Sequence, residues 1–279
     1  MQIKVFRKGR ETFFGFYYTE PDTVSRDTIA IIGSLCISKS IHPALGQGRA
    51  TQVLRKLSRE FCTHGLHAKV LLEDYDIVDL GDFCNKKLTS VVTQVLRKGA
   101  RVLVIGGDHT TTLYALRDIN VANLTVFDAH LDSEECKEGV HHGCVIRKLI
   151  EEKDRLEVTL VGMRGYSTLK GEIEFLKQRS QRIFAWPVSE ETVKLCFRES
   201  EYISIDLDFF NPSSFWAVRA PEPLGFDINH FISIINEVRK TNARYIDVVE
   251  YSPEADPGYV CGKLLLQLVL EILSTLTQN

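Results

Sequence analysis

The chain has 279 residues, 44% of them hydrophobic, and a formal charge of −3. That apolar content can bury a sizeable core, and one domain over 1–279 is the simplest organisation. The charge balance speaks against a general nucleic-acid partner or a membrane-surface role. No apolar run reaches transmembrane length, and Met1-Gln2-Ile3-Lys4-Val5 lacks the apolar stretch of a signal peptide. The seven cysteines are scattered, with no C-x-x-C pair. Such scatter argues against a disulfide framework and fits a reducing, cytoplasmic setting.

Residues 1–27 read as a peripheral segment, in which 3–7 and 12–18 can pair as a hairpin around Lys8-Gly9-Arg10. Its aromatics, Phe13, Phe14, Phe16, Tyr17 and Tyr18, suit core cover or a subunit contact. From residue 28 onward, apolar runs alternate with amphipathic stretches, the pattern of a parallel α/β sheet. The apolar runs predict eight strands, at 28–33, 70–72, 101–105, 121–127, 157–161, 182–186, 202–207 and 244–249. Helices are predicted at 49–64, where Val53, Leu54, Leu57 and Phe61 share a face, and at 83–97, ended by Gly99. Further helices are predicted at 110–117, 146–150, 169–179, 190–197 and 259–276.

Three of these strands end in potential metal ligands. The run 121–127 leads into Asp128-Ala129-His130-Leu131-Asp132, whose ligands are two residues apart. An extended backbone would set Asp128, His130 and Asp132 on one side. The run 101–105 leads through Gly106-Gly107-Asp108 to His109, and the run 202–207 contains Asp206 and is followed by Asp208. A single Asp at a strand end more often just meets solvent. Four Asp and two His at three strand ends form a denser set, at the place where open α/β sheets bind ligands. Imidazoles with hard carboxylates suit Mn²⁺ better than structural Zn²⁺. Six such ligands, some bridging, can hold two ions about 3.5–4 Å apart. Without cations, the carboxylates would repel one another.

The motifs G-G-D-H at 106–109, D-A-H-L-D at 128–132, S-I-D-L-D at 204–208 and V-V-E-Y-S-P at 248–253 resemble the ureohydrolase family, which includes arginase and agmatinase. The resemblance runs from about residue 29 to about residue 273. It implies a three-layer α/β/α fold with a mostly parallel eight-stranded sheet and two Mn²⁺ per chain. One ion would be held by His109, Asp128, Asp132 and Asp206, the other by Asp128, His130, Asp206 and Asp208, with Asp128 and Asp206 bridging. The implied reaction is attack on a guanidinium carbon by a water ionised between the ions. Glu250 would anchor the guanidinium, and Asp132 and His142 would relay a proton to the leaving amine. The implied assembly is a homo-oligomer, a trimer or hexamer. Gly162-Met163-Arg164-Gly165 resembles the family's G-x-R-G, with Arg164 as structural support, and Pro253 and Asp256 are structural too.

The loop 133–141 is short and acidic, with Glu134, Glu135 and Glu138. Its length resembles agmatinases, so the expected substrate is the small cation agmatine, giving putrescine and urea. Arginine, guanidinobutyrate, another guanidino acid and formimidoylglutamate are alternatives of the same chemistry. A phosphoester hydrolase lacks an evident phosphate-binding cluster. A degenerate member with a binding or structural role is the alternative of another class. Cys136, His141, His142 and Cys144 match no standard zinc-finger spacing. Two departures stand out. Asn211 replaces the usual third Asp of D-x-D-x-x-D, which removes a charge near the ligands. The segment 212–223 carries Phe215, Trp216 and Arg219 in place of the usual glycine and threonine. An inward Arg219 would repel an amine tail and favour a carboxylate tail. An outward one would say nothing about substrate.

Overall fold

In the structure, a computed structural model, the residues described are 11–38, 45–63, 70–137, 139–164, 169–238 and 241–278. Nine strands form one sheet in which every pair is parallel. They are β1 (Tyr17–Tyr18), β2 (Ile29–Ser34), β3 (Ile77–Phe83), β4 (Arg101–Ile105), β5 (Asn123–Phe127), β6 (Glu157–Met163), β7 (Arg182–Ala185), β8 (Tyr202–Asp206) and β9 (Tyr245–Val249). Their spatial order is β1-β3-β2-β4-β9-β8-β5-β6-β7.

That order decides where ligands gather. After β4 the chain crosses to β5, leaving a gap that β9 and β8 fill later. The four central strands β4, β9, β8 and β5 therefore end side by side at a topological switch point, where open α/β sheets bind ligands.

The sheet is buried on both faces because its strands alternate apolar with apolar. Ile29 and Ile31 of β2 face one core, and Ala30 and Ile32 face the other. The first core is covered by α1 (Ala50–Ser58), α6 (Glu190–Glu199), α7 (Ile228–Glu237) and α8 (Val260–Thr277). The second is covered by α2 (Asn85–Arg97), α3 (Thr110–Leu116), α4 (Val145–Glu152) and α5 (Lys170–Gln178). The fold is thus the expected three-layer α/β/α sandwich, with nine strands instead of eight.

Four expectations change. The segment 70–72 is not a strand: a 3-10 turn occupies Leu72–Asp74, and the strand lies at Ile77–Phe83. Its Asp79 disguised it. That buried carboxylate accepts hydrogen bonds from Arg55 Nε at 2.9 Å and Nη2 at 3.0 Å, and from the Phe13 N–H at 2.8 Å. Neutralised this way, an Asp sits inside an otherwise apolar strand.

Residues 3–7 of the expected hairpin lie outside the described residues, and within 12–18 the strand Tyr17–Tyr18 pairs in parallel with β3. Helix α7 was not predicted; Asp227 caps it by accepting from the N–H groups of Asn229 and His230. Finally, the stretch Pro257–Thr277, with α8 in it, has the length and hydropathy of a membrane span, yet most of its apolar side chains are buried in the protein. Val260 and Lys263 reach solvent, while the rest of α8 packs its apolar residues into the first core, as a core helix of a layered protein does.

Candidate metal centre

Each ligand-bearing turn is shaped by its local sequence. Beyond β4, Gly106 and Gly107 have φ of +92° and +78°, which glycine adopts without strain. A Cβ on Gly107 would lie 2.8 Å from the Cys36 carbonyl oxygen. This tight turn brings His109 to the head of α3. Beyond β5, the His130 N–H donates to Asp128 Oδ1 at 2.6 Å. Beyond β8, the Asp208 N–H donates to Asp206 Oδ1 at 3.0 Å. In each pair the first carboxylate fixes the backbone that carries the second ligand.

The side chains converge into two buried groups. His109, Asp128, Asp132 and Asp206 form one, and Asp128, His130 and Asp208 the other. His109 Nδ1 lies 2.7 Å from Asp132 Oδ2, 3.2 Å from Asp128 Oδ2 and 3.4 Å from Asp206 Oδ2. His130 Nδ1 lies 2.8 Å from Asp208 Oδ2 and 3.5 Å from Asp128 Oδ1. Asp128 belongs to both groups. The six predicted ligands are therefore together, though not by the alternation first supposed. Strand β5 stops at Phe127, and Asp132 turns with φ of +43°. Asp132 faces His109, while His130 faces Asp208.

The donor set suits divalent cations. Burial, with the charges of Asp208 and Asp128 beside it, holds the Asp206 carboxyl well above its ordinary pKa. Burial and the neighbouring Asp128 push Asp132 up to about 7. Asp128 Oδ2 is buried without a hydrogen-bond partner among the described residues, its distance to His109 notwithstanding. Crowded carboxylates and an orphaned oxygen are what a cation would relieve. A buried His/Asp cluster able to bind metal is thus present.

Behind the cluster, His109 Nε2 lies 3.3 Å from Ser204 Oγ. Ser204 donates to Asp247 Oδ1 at 2.6 Å, and the Tyr202 hydroxyl donates to Asp247 Oδ2 at 2.5 Å. This chain fixes the ring so that Nδ1 points at the carboxylates. Arg164 braces the Asp208 turn, donating to the carbonyls of Asp208 at 2.7 Å and Pro223 at 3.0 Å.

Beside the cluster lies a third group, Asp108, His142 and Glu250. Glu250 follows β9 in the left-handed conformation, φ +70°, a cost for a non-glycine residue that marks functional sites. Its carboxylate accepts from the His109 N–H at 3.0 Å and from Gln47 Nε2 at 3.3 Å. Burial, with Asp108 nearby, pushes it up to about 8.

Asp108 Oδ2 accepts from the Ser38 N–H at 2.5 Å and from Ser38 Oγ at 2.6 Å. His142 Nδ1 lies 3.3 Å from Ser38 Oγ and 3.2 Å from Arg219 Nη1, and because a guanidinium can only donate, Nδ1 accepts from Arg219. The proton of the neutral ring then sits on Nε2. Burial lowers the His142 pKa to about 4, so the ring is neutral at pH 7, below the near-neutral titration expected of it.

Arg219 points inward: the residue is 9% exposed, and its Nε has no hydrogen-bond partner among the described residues. Asn211 Oδ1 accepts from the Ser213 N–H at 2.9 Å and shapes its own turn. Cys136 and Cys144 are joined in a disulfide, which overturns the expectation of unpaired thiols. Their sulfurs are used by each other, which removes the zinc alternative. Of the acidic loop, Glu135 is exposed and Glu134 half-buried; Glu138 lies outside the described residues. Ser38, Gln47 and Asp108 were missed from sequence. Asp108 could have been found inside its G-G-D-H motif, whereas Ser38 and Gln47 carry no local signal.

The sequence matches the arginase family over residues 27–274. The chain belongs to the arginase family. Relatives include an uncharacterized 32.2 kDa protein of Methanothermus fervidus, 26% identical over 242 residues, covering 79% of this chain and 84% of that one. The mitochondrial guanidino acid hydrolase of Homo sapiens is 26% identical over 218 residues, covering 72% of this chain and 62% of that one. Among solved structures, proclavaminate amidino hydrolase from Streptomyces clavuligerus superposes with a TM-score of 0.84 at 22% identity, covering 97% of this chain and 98% of that one. This arginase-family member is accordingly a hydrolase of guanidino or amidino compounds.

Proposed function

We propose that this arginase-family chain hydrolyses the C–N bond of a linear guanidino acid, releasing urea and an ω-amino acid. The supporting observation for the chemistry is the six-residue cluster flanked by Glu250. His109, Asp128, Asp132 and Asp206 would hold one Mn²⁺, and Asp128, His130, Asp206 and Asp208 the other. When bound, two such ions lower the pKa of water enough to make a nucleophile available near neutral pH. Glu250, held from behind by His109 N–H and Gln47, anchors and orients the planar guanidinium. Asp132 takes up a proton at its carboxylate and returns it to the leaving nitrogen, and neutral His142 contacts the substrate by donating a hydrogen bond from Nε2.

The supporting observation for the substrate is the inward, cationic Arg219. It repels an ammonium tail and offers donors to a carboxylate. Agmatine is the second reading, favoured by the short loop and its exposed Glu135. The test is urea release by Mn²⁺-loaded protein from 4-guanidinobutyrate, arginine and agmatine side by side. Preference for 4-guanidinobutyrate is expected. Preference for agmatine would overturn the assignment of the tail, and urea from none of them would overturn the guanidino acid reading altogether.

A further inference from the structure

His142 sits inside a covalent ring. Cys136 and Cys144 are disulfide-bonded across eight positions of sequence, with His141 and His142 between them. The inner side of this loop is well tied. Glu134 N–H donates to the Gly143 carbonyl at 3.0 Å, Ile146 N–H to the Asp132 carbonyl at 2.9 Å, and His142 N–H to Ser38 Oγ at 3.2 Å. The outer side is not. Among the described residues from 135 to 140, the backbone bond between them is the local one from Lys137 N–H to the Glu135 carbonyl. Glu135, Lys137 and Gly139 are exposed. Among the described residues, the disulfide to the buried Cys144 and the packing of Val140 against the second core are the fastenings of the outer half of the loop. Cys136 is half-buried, so a reductant can reach its sulfur first.

We propose that Cys136 and Cys144 form a redox-modifiable site that sets how firmly the pocket holds His142. A dithiol reductant supplies the two electrons. Its thiolate attacks Cys136 Sγ, the S–S bond breaks, and Cys144 leaves as a thiolate that takes up a proton. The second thiol of the reductant then attacks the mixed disulfide, freeing Cys136 and leaving the reductant as a cyclic disulfide. Opening the ring releases the loop to more conformations. His142 keeps its bond to Ser38 but loses the frame on its outer side, and substrate binding weakens. The last step rests on the reading of His142 as a substrate contact given above; the redox chemistry does not.

The experiment compares Mn²⁺-loaded protein before and after dithiothreitol with the Cys136→Ser/Cys144→Ser double variant. Thiols are counted by alkylation and mass spectrometry. Trypsin cleavage after Lys137 reads the freedom of the loop, and KM for a urea-releasing substrate reads the pocket. The untreated protein is expected to show five alkylatable thiols on denaturation, the five that lie outside the disulfide. Reduction is expected to speed cleavage after Lys137 at least about tenfold and raise KM several-fold, with metal content unchanged. The double variant is expected to behave as reduced under both conditions. Seven thiols in protein handled without reductant, or equal cleavage rates in both forms, would overturn the redox site. Faster cleavage with an unchanged KM would overturn its link to the pocket. Absence of urea from any substrate, with the cleavage difference intact, would count against the function proposed above and leave the redox site standing.

Discussion

Arg219 donates through Nη1 to Nδ1 of His142 across 3.2 Å, although the two lie 77 positions apart in the chain. One contact thus joins the segment that departs most from the family pattern to the loop that carries a candidate substrate contact. On the proposed reading it also sets a cation beside the substrate tail.

Replacing Arg219 with Gln removes that cation but keeps a donor. A charge-assisted hydrogen bond contributes about 1.5–3 kcal/mol, so kcat/KM for a guanidino acid should fall roughly ten- to a hundredfold. Agmatine turnover should hold or rise. Steady-state kinetics on both substrates checks this, and equal losses on the two would reduce Arg219 to a structural part.

Asp128 belongs to both ligand groups. Asp128→Ala should therefore abolish binding of both ions and activity together, as read by elemental analysis and urea assay. Full activity without metal would refute the two-ion centre.

Asp247 acts at one remove, through Ser204 on His109. Changing such an outer partner typically weakens metal affinity about 10–100-fold. Asp247→Asn should shift the Mn²⁺ titration by that order, with a smaller effect on KM at saturating metal. An unshifted titration would mean that the His109 ring is held by packing alone.

The Arg55–Asp79 pair is buried and bidentate. Asp79→Ala leaves the buried Arg55 with Asp82 alone, through Nη1 at 2.6 Å, and should cost about 3 kcal/mol of stability, the lower end for a broken buried pair. The exposed Arg49–Glu254 pair is the control, where Glu254→Ala should stay within about 0.5 kcal/mol. Chemical denaturation of both variants provides the comparison.

Removing metal should make stability more sensitive to alkaline pH. In the metal-free protein, burial and Asp128 lift Asp132 to about 7, and burial and Asp108 lift Glu250 to about 8. Unfolded, such groups titrate near about 4. Between these limits the folded chain holds more protons than the unfolded one, so stability falls as pH rises from about 4 to about 8. His142, lowered by burial to about 4, opposes this only below about 6.5. Thermal melts of chelated protein at pH 6 and pH 8 should show the drop, and Mn²⁺ should reverse it. A flat profile would argue against an ionised, uncompensated cluster.

Local pattern alone revealed much of this protein. Alternating apolar runs specify a parallel α/β sheet, because each strand must bury both faces. The spacings of Asp128, His130 and Asp132, of Asp206 and Asp208, and of His109 after two glycines marked the side chains that meet in the buried cluster, because strand ends are where polar groups can gather without breaking a core.

Long-range pairing decided the rest. Strand β3 was hidden because Asp79 looks soluble until Arg55, 24 positions away, neutralises it. Asp132 faces His109 and not His130 because the backbone turns left-handed there, against the local rule of alternation. The inward Arg219 and the closed Cys136–Cys144 ring depend on which loops the sheet order brings together. Sequence spacing carries the ligand chemistry, since ligand types and strand ends are local properties. The inward turn of Arg219, the tautomer of His142 and the covalent frame around it belong to the tertiary structure, since each is set by a partner far along the chain or by the path of a loop.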